Sequence, residues 1–128
     1  MAAYDYEEWH PVEGIPDTLH LHSLSDDLEK ICIELKCEDE TKPHLRLTFR
    51  EPMLYRNIYK KYRLTIWEAT PALEEHTLFI INNSDTLEYL HQINNNVYKD
   101  KDFVHYAIYT SHDCIDVITE NEPFAEWL

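Results

Sequence analysis

The chain reads as an α+β domain: an antiparallel β-sheet built from hairpins, with one main helix, about residues 84–95, packed on one face. Three observations predict this. Alternating runs come in pairs separated by turn residues, only the segment after Ser84 has a clear helical period, and 128 residues with 44% hydrophobic and 12% aromatic content supply one core. A single domain spanning 1–128 is expected.

Residues 1–18 mix acids and aromatics with Pro11, Gly14 and Pro16, the composition of an irregular arm that can dock through Tyr4, Tyr6 and Trp9. The next stretch is ambiguous. Leu28, Ile31, Cys32 and Leu35 fit a helical face, whereas Ile31, Ile33, Leu35 and Cys37 alternate as a strand. A hairpin of Thr18–Leu24 and Lys30–Cys37 is preferred because Ser25-Asp26-Asp27 is good turn material. After the acidic turn 38–43, Leu45, Leu47 and Phe49 alternate with Arg46, Thr48 and Arg50 as a half-buried strand ended by Pro52.

Met53 to Ile58 and the β-branched, aromatic run Tyr62 to Glu68 suggest a second hairpin across Lys60-Lys61. Pro71 and Glu74-Glu75 connect it to a short apolar strand, Thr77 to Ile81. Ser84 is a suitable N-cap, Asp85 complements the helix dipole, and Leu87, Leu90, Ile93 and Val97 lie on one stripe. Asn94, Asn95 and Asn96 replace the glycine usual at a helix end, since asparagine tolerates the left-handed conformation. Phe103 to Thr110 and Cys114 to Thr119 form a last hairpin around Ser111-His112-Asp113, and Phe124 and Trp127 in the acidic tail can pack back.

Charge narrows the partners. Twenty-five acidic residues against 11 basic ones give −14, spread along the chain and not gathered in a tail. Such a surface repels phosphate backbones and anionic lipid, so no nucleic acid and no membrane is expected as a direct partner, and basic proteins are favoured. Cys32, Cys37 and Cys114 leave one unpaired in any intrachain scheme and lack CxxC spacing, which suits a reducing compartment. With no basic, apolar leader after Met1 and no long apolar run, a cytoplasmic location is expected.

The residues offer little chemistry. His20-x-His22 places two imidazoles on one side of a strand, but two ligands do not make a metal site, and neither a metal nor a cofactor is expected. Cys114 near His105 or His112 lacks the electropositive surroundings a thiolate needs, so a buried structural cysteine is the better reading. A single glycine rules out phosphate-cradling loops. Arg56 is expected in an internal ion pair, with an acid of the Glu51 or Glu68 region as its partner.

The segments Tyr55-Arg56-Asn57, Phe79-Ile80-Ile81-Asn82-Asn83-Ser84, His105 to Thr110 and Ile115-Asp116-Val117-Ile118 resemble small acidic bacterial immunity proteins of contact-dependent growth inhibition and other polymorphic toxin systems. The likeness covers roughly residues 45 to 120. It implies a non-enzymatic inhibitor that binds the C-terminal domain of a cognate toxin. Such toxins are commonly nucleases, whose basic cleft an acidic domain can occlude. The alternative is a small ligand-binding domain or enzyme using histidines and carboxylates in a cleft. Partner-binding candidates are the loop acids Glu38, Asp39, Glu40, Glu74 and Glu75, with Tyr55 and Trp67 as aromatic anchors.

Overall fold

The structure is a computed structural model that describes residues 5–128, apart from the side chain of residue 72. The strands are β1 (Tyr6–Glu8), β2 (Leu19–Asp26), β3 (Lys30–Cys37), β4 (Leu45–Arg50), β5 (Leu54–Tyr59), β6 (Leu78–Ile81), β7 (Val104–Tyr109), β8 (Asp113–Thr119) and β9 (Phe124–Trp127), with apolar residues alternating most cleanly in β3 and β4. They form two antiparallel sheets. One has five strands in the order β1-β6-β7-β8-β5, and the other four in the order β2-β3-β4-β9. The α+β class holds, with two sheets where one was expected.

The period-2 pattern explains the packing. Ile31, Ile33, Leu35, Leu45, Leu47 and Phe49 point from the four-stranded sheet onto Leu78, Tyr106, Ile108, Ile115 and Val117 of the five-stranded sheet. Each such fully buried side chain contributes roughly 1.5–3 kcal/mol of burial free energy. The five-stranded sheet is covered on its other face too. Phe79, Ile81, Ala107, Tyr109 and Cys114 meet Trp67 and Leu73 there, which is why β8 is buried from Cys114 to Thr119 with no alternation.

The segment Tyr62 to Glu68 is a correction. It is not a strand: Lys60–Tyr62 makes a 3-10 turn and Leu64–Ala69 a short helix, α1. Ile66 and Trp67 on α1 and Leu73 after it pack on the sheet, and Arg63 reaches beneath. Positions 63, 66, 67 and 70 are therefore a helical face that the alternation of Tyr62, Leu64 and Ile66 masks. The strand β5 pairs with β8 instead of closing a local hairpin.

The second helix, α2 (Asp85–Ile93), starts as expected, with Ser84 Oγ accepting the Leu87 amide at 3.0 Å. Leu87 and Leu90 are half-buried and His91 is buried, but Ile93 and Val97 are exposed, because the helix ends at Ile93. Asn95 and Asn96 adopt positive φ in the role assigned to them. The arm is not wholly irregular: β1 pairs with β6, and Trp9 lies 4.7 Å from Tyr106 and 6.2 Å from Phe49. Tyr6 meets Phe79 edge-on, whereas Tyr4 lies outside the described residues. The tail packs back as β9 along β4. No helix among the described residues is long and apolar enough to cross a membrane.

Candidate functional site

Of the seven partner-binding candidates, Tyr55 stands apart from the acidic loop 38–40. Glu38, Asp39 and Glu40 are exposed in the β3–β4 loop, where Asp39 Oδ1 accepts the Thr41 amide at 3.0 Å and Glu38 lies 3.3 Å from His20. That loop borders a cavity of about 560 Å³ with Gly14, Pro16 and Trp127. Glu74 is tied to Lys60 at 2.7 Å and Glu75 is exposed. Trp67 is not an exposed anchor: it is 8% accessible, beneath Lys60, whose Nζ sits 4.2 Å from the ring centroid. Tyr55 belongs elsewhere, because its hydroxyl donates to Asp26 Oδ2 at 2.8 Å.

That bond points to the β2–β3 turn, at the far end of the four-stranded sheet from Glu38. Eight residues of β3, roughly 26 Å of extended chain, separate the two. The turn is held by its own aspartates. Asp27 Oδ1 accepts the amides of Glu29 at 3.1 Å and Lys30 at 2.9 Å, and Asp26 Oδ1 accepts that of Leu28 at 2.8 Å. Those backbone hydrogen bonds, from Lys30 first, hold the Asp27 carboxyl below its ordinary range, while the bond to Asp26 pushes the Tyr55 hydroxyl up.

Leu28 sits at the apex with φ +77°, in the left-handed region, and is 95% exposed. A leucine there costs about 1–2 kcal/mol of backbone strain, and it buries almost nothing in return. Sequence reading found this turn as a turn and gave it no further role, although an apolar residue between Asp27 and Glu29 was the available signal. The neighbouring loops converge on it. The Glu51 amide donates to the Glu29 carbonyl at 3.0 Å, and Asn121 Nδ2 donates to that of Arg50 at 3.1 Å. Exposed Asp26, Asp27, Glu29, Glu51, Glu120 and Glu122 therefore share one end of the molecule, against the cations Lys30 and Arg50.

A second cluster is buried on the outer face of the five-stranded sheet. Asp116, fully buried on β8, accepts His105 Nε2 at 2.8 Å and the Tyr109 hydroxyl at 2.7 Å through Oδ1. Its Oδ2 accepts Arg56 Nε at 3.1 Å and Arg63 Nη1 at 3.0 Å. Burial pushes this carboxyl up, but the His105 and Tyr109 hydrogen bonds and the Arg63 charge outweigh it and leave it below the ordinary range. Arg56 thus has its internal ion pair with Asp116, and not with an acid of the Glu51 or Glu68 region.

His105 Nδ1 continues the chain to Ser84 Oγ at 2.6 Å. Serine, histidine and aspartate are the residue types of a hydrolytic triad, but here Ser84 Oγ already accepts the α2 cap and Asp116 already holds two arginines and a tyrosine. The contacts form a strut between α2, α1 and the sheet. Burial likewise raises the Cys114 thiol, in keeping with a structural cysteine.

Comparison with protein-family models, curated proteins and solved structures returns no match to the chain.

Proposed function

We propose that the chain is a binding module whose β2–β3 tip engages a basic protein surface, and that it acts as an immunity-type inhibitor of a toxin domain of the nuclease class. Leu28 carries this reading. A strained, solvent-exposed apolar residue contributes nothing to the isolated fold, and strain of this kind gathers at functional positions. Around it the carboxylates are already ordered by hydrogen bonds, so little conformational entropy is lost on docking.

The whole-molecule field supports the same reading. All but Glu34, Asp113, Asp116 and Glu126 of the 25 acidic side chains are exposed, so the charge is turned outward and not neutralised inside. A nuclease cleft built to hold phosphates presents the complementary potential, which speeds encounter at low salt. Leu28 then supplies the apolar contact that the acids ring.

The test is binding kinetics with the toxin domain encoded beside this chain. Association is expected to slow as salt rises, and Leu28→Asp and Glu29→Lys are each expected to weaken binding by more than about tenfold. Association equally fast at low and high salt, with both variants binding as the parent does, would overturn the proposal.

A further inference from the structure

We propose that His22 on β2, Glu34 on β3 and His44 just before β4 form a binding site for a divalent transition-metal ion of the zinc class. This inference is independent of the partner-binding tip. One ligand atom from each residue lies within 4.8 Å of the other two. His44 Nδ1 is 2.8 Å and His22 Nε2 3.4 Å from the same atom, Glu34 Oε2.

The spacing suits a tetrahedral ion. Zinc bonds of about 2.0–2.1 Å to nitrogen and oxygen hold ligand atoms about 3.4 Å apart. The His22–Glu34 distance already has that value, and the His44–Glu34 contact needs to open by about half an ångström to admit an ion. Two imidazoles and one carboxylate are the donor set of a three-ligand zinc centre, which leaves a coordination position open.

The sheet builds this arrangement by a bulge. Leu21 pairs with Leu35 and Ser23 with Glu34, so His22 is the extra residue in β2 and stands with Ser23 opposite Glu34. Without it, the alternation set by Leu19 and Leu21 would run on unbroken, and Leu24 would lose its inward phase. His20, which the sequence pairs with His22, goes instead to Glu38. Glu34 faces His22 on β2, His44 just before β4 and, on β4, the ladder partner Arg46, whose guanidinium is taken by Glu126.

His22 and His44 also line a concavity of about 240 Å³ with Lys36, Glu40 and Lys42. Glu40 is an acid on the wall of that concavity, and the two lysines are the opposing charges.

The test uses the untagged full chain, freed of metal by a chelator and titrated with Zn²⁺ in a calorimeter. One equivalent is expected to bind, with the imidazole resonances of His22 and His44 shifting and those of His20 and His76 staying in place. Glu34→Gln and His44→Ala are each expected to weaken binding by more than about tenfold, and His20→Ala to leave it unchanged. If no saturable one-equivalent binding appears, or if it survives both substitutions, the site does not exist. Should either variant fail to fold, the imidazole shifts of the parent chain decide alone: shifts at other histidines, or at none, overturn the proposal.

Discussion

On the outer face of the five-stranded sheet, Asp116, His105 and Tyr109 are closed under two helices, with Arg56 at the rim and every oxygen of the carboxylate bonded to arginine, tyrosine or histidine. On the outer face of the four-stranded sheet, His22, Glu34, His44 and Arg46 stand at least partly in water, and the β2–β3 turn projects from its end with Leu28 bare. The same residue types thus meet two dielectrics. Where water is excluded, charges are satisfied internally and serve to lock helices onto strands. Where it is not, they remain available to an ion or a partner.

The sharpest way to break this contrast is Asp116→Ala. It leaves Arg63 and His105 buried without their acceptor, and a loss of about 3–5 kcal/mol is expected in denaturant unfolding. A loss under about 1 kcal/mol would mean that water enters the cluster and that the two faces are alike.

Acid should act on the same group. Asp116 has a folded-state pKa below its unfolded value, so its contribution is complete above the ordinary carboxylate range, about pH 4, and is lost as pH falls through the lower folded value. Unfolding free energy measured below about pH 4 should therefore fall steeply, and less steeply in Asp116→Asn. Asp27, Asp39 and Glu34, also shifted down, act in the same window, but they are far less buried and their share is smaller.

Ser84→Ala removes both the α2 cap and the contact to His105, and about 1–2 kcal/mol should be lost. The smallest effect has the opposite sign. Leu28→Gly relieves the positive φ and forfeits almost no burial, so stability should rise by about 0.5–1 kcal/mol while partner binding weakens. A tip that served the fold would lose stability on that change.

Much of the fold is legible in the residues. The hairpins of β2–β3 and β7–β8, the Ser84 cap and the left-handed asparagines after α2 rest on local chemistry and all appear, although β2 runs on through Ser25 and Asp26, which were expected in the turn. The α1 segment is not legible in the same way, because Tyr62, Leu64 and Ile66 alternate as a strand does, and only the sheet face beneath Arg63 and Trp67 selects the helix. The grouping of the site candidates is not legible either: acidic loops at 38–40 and 74–75 look equivalent in sequence, and the distance of Tyr55 from Glu38 follows from strand order.

The alternation of apolar residues, the turn-forming aspartates and the excess of carboxylates were determined by the chain alone, because each depends on neighbours within a few positions or on composition. Tertiary structure decided that Arg56 meets Asp116 across 60 residues, and that His22 meets His44 through Glu34 by way of a one-residue bulge. Such contacts depend on register and sheet order, which no local pattern encodes: a shift of one residue sends a side chain to the opposite face.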